Sequence, residues 1–536
     1  MPSKQPNILF IMTDQQRADT IATLGNPVIT TPALDSLVAA GTSFTRAYTP
    51  APICSPARVA MATGLPPHVH RFTDHDWWHG PDPDGAPSPA PHDPAFMQYA
   101  NAAGYQTFFS GKVHHFGRPW LFEGVEEFAG NEPQISARTR ELGSYGEFCR
   151  AQGYPPYASP GGLSDDFYYV PQTTLTPPEH ANSHWLADQC LDFLERRDRN
   201  RPFLMQLHFH DPHPPNCNPM PWALMYKTFE IDAPYRPPDY KDYQSRANRY
   251  QNRYKGKETA QEDDFGFRTL KTAYYASISF VDYNIGRVLA ALGQELENTV
   301  VIFTCDHGEM LGDYGCVGKR CMLEPAARIP FVMAWPGRVP AGRTCDTPVT
   351  LLDVFPTIAE VSGADVSPPS EEGCSLIGLA NDRPCPERLV FSQFSSGWCG
   401  QYAVSDGKWK YCYSAPDHKE WLFELGDHVQ DGPNRIDDPN AQQYKERLKA
   451  ALMQRHDPAV DPFSNAVENG DWKVHTPPPE SYLDDPNYGL LHQIKAVEQL
   501  EVDLAALGPY AREVAGKWRG NLHYDHGVCE RRSPFE

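Results

Sequence analysis

Two apolar runs without polar alternation stand out along the chain, Asn7-Ile8-Leu9-Phe10-Ile11-Met12-Thr13 near its start and Thr299-Val300-Val301-Ile302-Phe303-Thr304-Cys305 past its middle. Continuous apolarity of this length predicts strands buried on both faces, as in a parallel sheet. Gly104-Tyr105-Gln106-Thr107-Phe108-Phe109-Ser110 and Pro202-Phe203-Leu204-Met205-Gln206-Leu207-His208-Phe209 read as further central strands, and Arg328-Ile329-Pro330-Phe331-Val332 resumes the sheet. Apolar residues recur at three and four from Thr272 to Leu292, the spacing of a helix with a buried face; His184 to Arg196 reads as an amphipathic helix, and Thr31 to Leu37 opens another. The whole predicts an α/β fold, a large mostly parallel central sheet flanked by helices.

The pattern changes beyond residue 380. Tyr402 to Tyr411 and Trp421 to Leu425 alternate around the Asp406-Gly407 turn, as an antiparallel hairpin does, and a helix over about 440–454 would cover one face. The expected organisation is a catalytic domain over 1–380, a small C-terminal antiparallel-sheet subdomain over 381–455, and a tail over 456–536. In the tail, after Thr476-Pro477-Pro478-Pro479, residues Leu490, Ile494, Val497, Leu500, Leu504 and Leu507 recur at three and four up to Gly508-Pro509. That predicts an amphipathic helix whose apolar stripe packs on its own domain or reaches a neighbouring subunit, and a homo-oligomer that needs the tail. Residues 121–180, rich in Gly, Pro, Ser and aromatics, read as an insertion that carries substrate loops.

Composition narrows the function. A formal net charge of −21 argues against nucleic acid or an anionic membrane as partner, so any anion site must be local. No apolar run can span a bilayer, and Met1 to Pro6 leads into the first strand without the core of a signal peptide, which predicts a cytoplasmic chain. Thirteen cysteines without a Cys-x-x-Cys pair fit free thiols in a reducing compartment, twelve of them structural.

Polar residues at strand ends supply the candidate chemistry. In open α/β sheets ligands bind beyond the carboxyl ends of strands, and there stand Asp14-Gln15, Lys112 and His114, His213, and Asp306-His307. The carboxylates of Asp14 and Asp306 should converge. Cys54-Ser55-Pro56-Ala57-Arg58 reads as a helix start, with Pro56 in the first turn and Gly64 as a left-handed C-terminal cap. Free N–H groups and the dipole at that end favour an anion, and Arg58, one turn on, can grip an oxyanion with two hydrogen bonds. Such geometry suits a sulfate or a phosphate.

Cys-x-Pro-x-Arg followed by a helix ending in Thr63-Gly64 closely resembles the sulfatase signature, within the alkaline-phosphatase-like superfamily. Gly104-Tyr105-Gln106-Thr107 leading to Gly111-Lys112-Val113-His114 is similar to the second signature, Pro212-His213-Pro214-Pro215 to a Pro-His-x-Pro element, and Lys319 to the family's second substrate lysine. Leu351 to Ile358 and Glu372 to Leu376 complete the resemblance over the large domain. It implies that a formylglycine-generating enzyme oxidises Cys54, and that one hydroxyl of the hydrated aldehyde attacks sulfur. Arg58 and Lys112 would hold the equatorial oxygens, His213 and Lys319 would meet the leaving alkoxide, and His114 would help the second hydroxyl to eject sulfate. His208 and His210 fit core positions, or positions behind the site, better.

One divalent cation would lie among Asp14, Gln15, Asp306, His307 and the diol derived from Cys54, with calcium or magnesium favoured. Many sulfatases carry a second aspartate at the place of Gln15 and an asparagine at that of His307. Gln15 and His307 look like the phosphonate monoester hydrolase branch, which brings in manganese or zinc. The expected activity is metal-dependent hydrolysis of aryl or small alkyl sulfate monoesters, a small anionic ester substrate, with phosphonate monoester or phosphodiester hydrolysis by the same nucleophile as the alternative. A non-enzymatic anion-binding protein is hard to reconcile with nucleophile, metal and general-acid candidates in family order.

Overall fold

The structure is a computed structural model that describes residues 5–74, 94–114, 119–130, 145–154, 169, 171–174, 176–254, 264–383, 385, 387–461, 464–477, 522–525 and 528–531. Eight strands form the central sheet: β1 (Asn7–Thr13), β2 (Thr42–Phe44), β3 (Gln106–Gly111), β4 (Glu127–Gly130), β5 (Phe203–His208), β6 (Thr299–Cys305), β7 (Phe331–Ala334) and β8 (Arg343–Cys345). Their order in space is β8-β2-β7-β6-β1-β5-β3-β4. Pairing is parallel throughout except at β7, which runs antiparallel to both β2 and β6. Two strands differ from expectation. The strand expected from Gly104 starts at Gln106, because Gly104 takes a φ of 95° and Tyr105 turns its hydroxyl to Pro6 O at 2.9 Å. The strand expected from Arg328 starts at Phe331 and reverses direction, since Arg328 and Ile329 first bind the backbone around Ala47 and Tyr48.

β1 shows why the run is apolar throughout. Ile8, Phe10 and Met12 face one core, shared with Ala57, Met61 and Phe355, while Leu9 and Ile11 face the other, shared with Leu186, Ile285 and Val288. The helices that line the two cores are α1 (Pro32–Ala40), α2 (Cys54–Thr63), α3 (Asn182–Arg196), α4 (Asp264–Leu292) and α5 (Val354–Ser362). α1, α3 and α4 cover the Leu9 face, and α2 and α5 the Ile8 face. α4 begins at Asp264 instead of Thr272, because Phe267 and Leu270 bury against the distant Ile29 and Leu311.

A second sheet is antiparallel, in the order β9 (Val390–Phe394), β10 (Gln401–Ser405), β11 (Trp409–Ser414), β12 (Lys419–Glu424). At the turn between β10 and β11, Gly407 has a φ of 87° and the Asp406 carboxylate accepts the N–H groups of Lys408 and Trp409 at 2.8 and 2.7 Å. α6 (Gln442–Arg455) buries Leu448 and Leu452 on this sheet. Ala466, Val467 and Trp472 join the same core, and Trp472 Nε1 donates to the Tyr411 hydroxyl at 2.8 Å. The helix expected over Leu490–Leu507 lies outside the described residues. No described helix is long and apolar enough to cross a membrane, and the twelve cysteines from Cys54 to Cys412 are free thiols.

The small sheet is tied to the large one beside the site. Gln393 N–H donates to Pro50 O at 2.9 Å and Gln401 Nε2 to Arg320 O at 3.0 Å. Lys410 Nζ, buried at the joint, lies 2.8 Å from Glu324 Oε1 and 2.5 Å from Asp431 Oδ1. Removing its charge leaves two buried carboxylates facing each other, so Lys410→Met should cost about 3–5 kcal/mol of stability. Urea unfolding followed by tryptophan fluorescence checks this; an unchanged midpoint would show that the cluster carries no such weight.

Candidate active site

The register that sets Thr13 opposite Cys305 delivers Asp14 and Asp306 side by side, both with no exposed surface. α2 starts at Cys54, carries Pro56 in its first turn and ends at Gly64, whose φ is 69° and whose N–H bonds Ala60 O at 2.8 Å. Cys54 is thereby held at a helix N-terminus, 1% exposed, directly over the two strand ends. Its sulfur lies 3.7 Å from Asp14 Oδ1, 3.1 Å from His307 Nε2 and 2.8 Å from Lys319 Nζ. Lys319 Nζ also donates to Gln15 Oε1 at 2.8 Å. His307 Nδ1 lies 3.0 Å from Gly308 O, and a carbonyl only accepts, so Nδ1 carries a proton and Nε2 faces Cys54.

Arg58, one turn along α2, spans both carboxylates: Nε donates to Asp306 Oδ2 at 2.9 Å and Nη2 to Asp14 Oδ2 at 3.2 Å. Nη1 reaches Lys112 O at 3.0 Å, and Lys112 Nζ lies 2.7 Å from Asp14 Oδ2. The two cations expected to hold the substrate thus take these carboxylates as partners. His114 and His213 stand at the partly exposed rim, where both interact electrostatically with Lys112 and Asp14. His213 donates from Nδ1 to Pro214 O at 2.7 Å. All ten residues singled out in the sequence are therefore gathered at one end of the sheet.

Charges decide the protonation states. Burial opposes ionisation of Asp14, but Lys112, His213, Lys319 and Arg58 outweigh it and hold its carboxyl well below the usual range. Asp306 is pushed up by burial and by the charge of Asp14. Burial and Asp14 push the Cys54 thiol up, while Lys319, Lys112 and His307 overcome both and bring it down to about 6. Burial together with Lys112 holds His114 and His213 well below the ordinary imidazole value.

Behind the site, one residue meets the expectation and one escaped it. His208 packs edgewise against Phe10, at 5.4 Å between ring centroids, and its Nδ1 accepts from Arg58 at 3.4 Å. That is the place behind the site which its strand position suggests. Glu309 takes the side chain of Gln15 and the backbone before Lys319; its only signal was its place in Asp306-His307-Gly308-Glu309. The donor set suits a divalent cation: ligand atoms of Asp14, Cys54, Asp306 and His307 all lie within 4.8 Å of one another, with the Gln15 amide oxygen beside them.

This sheet, with a charged cluster beyond its carboxyl ends, has the fold of the alkaline-phosphatase-like hydrolases. The phosphonate monoester hydrolase of Agrobacterium radiobacter shares it with a TM-score of 0.68 at 22% identity, over 88% of this chain and 100% of that one. The chain belongs to the sulfatase family, whose profile matches residues 6–364, and is a sulfuric ester hydrolase. A profile for the C-terminal part of N-sulphoglucosamine sulphohydrolase matches residues 312–457. An arylsulfatase of Clostridium perfringens is 29% identical over 83% of this chain and 92% of its own length. A choline-sulfatase of Rhizobium meliloti is 28% identical over 79% and 81%.

Proposed function

We propose that the chain hydrolyses aryl or small alkyl sulfate monoesters with formylglycine at position 54 and one divalent ion, calcium ahead of magnesium, manganese or zinc. The observation that supports this most is the place of Cys54, at a helix N-terminus within hydrogen-bond reach of Lys319 and His307 and beside two carboxylates. Asp14, Gln15, Asp306 and His307 would hold the ion beside residue 54. Ion and hydrated aldehyde together supply an oxygen nucleophile at neutral pH. Arg58 and Lys112, ion-paired with Asp14 and Asp306, bind the sulfuryl oxygens, where one preorganised donor is worth roughly 3–4 kcal/mol. Lys319 offsets the charge on the leaving oxygen, and His213 protonates it from Nε2. The bound anionic ester opposes the effect of Lys112 and Lys319 and favours the protonated ring. His114 accepts the proton of the second hydroxyl, so that sulfate leaves and the aldehyde returns.

His213→Ala should slow alkyl sulfates by about 100-fold and nitrophenyl sulfate by under about 10-fold, since good leaving groups need little protonation. A leaving-group series measured by kcat/KM tests this, and an equal loss across the series removes His213 from the acid role.

Gln15 and His307 favour a second reading, hydrolysis of phosphonate monoesters or phosphodiesters by the same nucleophile. Rates on matched nitrophenyl sulfate and nitrophenyl phenylphosphonate separate the two: a higher kcat/KM on the sulfate is expected, and a higher one on the phosphonate hands the chain to the second reading. Maturation by a formylglycine-generating enzyme, a cytoplasmic location and a homo-oligomer assembled through the tail belong to the same proposal. Nucleic acid and membrane are not partners in it.

A further inference from the structure

Glu309 stands three residues past Asp306 with no exposed surface, and the donors to its carboxylate among the described residues are uncharged. Oε2 accepts from Gln15 Nε2 and, at 3.0 Å, from the Tyr169 hydroxyl. Oε1 accepts from Leu311 N–H at 3.1 Å and from Gly318 N–H, in the loop that ends at Lys319.

The contact with Gln15 selects between the two ends of an amide. A carboxylate only accepts, so it must take the amide nitrogen and turn the oxygen away. That oxygen then accepts from Lys319 Nζ at 2.8 Å, on the side of Cys54 and Asp14. The backbone is held to match. Gln15 sits at a φ of 68°, its N–H donates to Asp306 Oδ1 at 3.0 Å and its carbonyl accepts from the Tyr274 hydroxyl at 2.6 Å. With backbone and lysine fixed, a reversed amide would set NH2 against the Lys319 ammonium and against any cation between the carboxylates.

We propose that Glu309 is a positioning residue that locks the Gln15 amide with its oxygen toward the Asp14–Asp306 cluster. The same contact accounts for an amide at position 15, because a carboxylate there would meet Glu309 as a second buried anion. This rests on the metal-binding reading of the cluster given above.

The test is Mn2+ binding by the full-length protein stripped of metal, measured by chelator competition for Glu309→Gln, Gln15→Glu and the double variant. Glu309→Gln should bind at least about 10-fold more weakly, as loss of a partner behind a metal ligand commonly does, because two amides then meet and that of Gln15 reverses. The double variant, in which acid and amide trade places, should return to within about threefold of the parent, a coupling that two independent sites would not show. A merely structural role for Glu309 would not be rescued from position 15. Parental affinity in Glu309→Gln overturns the proposal, as does a double variant no better than the weaker single one. If Glu309→Gln does not fold, Gln15→Glu decides: opposed carboxylates should keep its affinity at or below that of the parent, and tighter binding overturns the proposal. Asp306→Asn separates the two levels. Parental affinity there defeats the metal reading and this proposal with it; loss there beside parental affinity in Glu309→Gln defeats this proposal alone.

Discussion

Cys54→Ala should lower hydrolysis of nitrophenyl sulfate by at least ~10⁴-fold, roughly 5.5 kcal/mol of barrier. Alanine removes the one atom at position 54 that lies against Lys319, His307 and Asp14, yet leaves the site otherwise assembled. Arg58 still spans the carboxylates, Lys112 keeps Asp14, and α2 keeps Pro56 and Gly64. Substrate affinity should therefore change far less than kcat, as when a group acting mainly in the transition state is lost. Steady-state kinetics on the variant and peptide mass spectrometry on the parent form one experiment. Fully active parent with an unmodified thiol at Cys54 would falsify the formylglycine mechanism, because a plain thiol has no second hydroxyl with which to expel sulfate.

For Asp14→Asn and Asp306→Asn, metal content and turnover should fall together, with ion affinity down by at least about 100-fold, or about 2.7 kcal/mol. Each change removes a negative charge from a cluster that also holds the cations Arg58, Lys112 and Lys319, so the ion loses its attraction and the cations lose a partner. Asparagine keeps an oxygen, and Asp306 needs one for the N–H groups of Gln15 and His307 at 3.0 and 2.9 Å. The sheet core beneath, Leu9, Ile11 and Phe303, is untouched, and the fold should survive. Elemental analysis with circular dichroism on each variant checks both halves; parental metal stoichiometry in either refutes its place in the ligand set.

Which parts were legible in the sequence follows from how local their causes are. The strand Asn7–Thr13 was readable because burial on both faces writes itself into consecutive residues, and α2 because Pro56 and Gly64 mark its ends. Asp14 and Asp306 could be expected to converge because parallel strands end on the same side. Contacts between distant segments were another matter. That Arg58 spans both carboxylates, that Glu309 reaches back to Gln15, and that Phe267 and Leu270 extend α4 depend on neighbours from 44 to 294 positions away along the chain, or on a cluster as distant as Ile29. The direction of β7 was equally hidden: apolar pattern reports burial, and the pairing of Tyr48 with Arg328 that turns the chain leaves no mark in it.

The length of chain between Cys54 and its partners also sets a clock. Lys319 lies 265 positions later, and at 5–20 residues per second a ribosome needs about 13–50 s to reach it. During that interval the cysteine has emerged while the lysine that will cover it does not yet exist. Asp431, whose carboxylate accepts the N–H of Glu324 at 2.7 Å, comes later still. An oxidising enzyme acting on the nascent chain would find an accessible thiol, whereas one meeting the finished protein would find the same thiol 1% exposed. Were Cys54 converted as proposed, the order of synthesis would favour conversion before the site closes, and slowing elongation downstream of residue 64 should then raise the converted fraction.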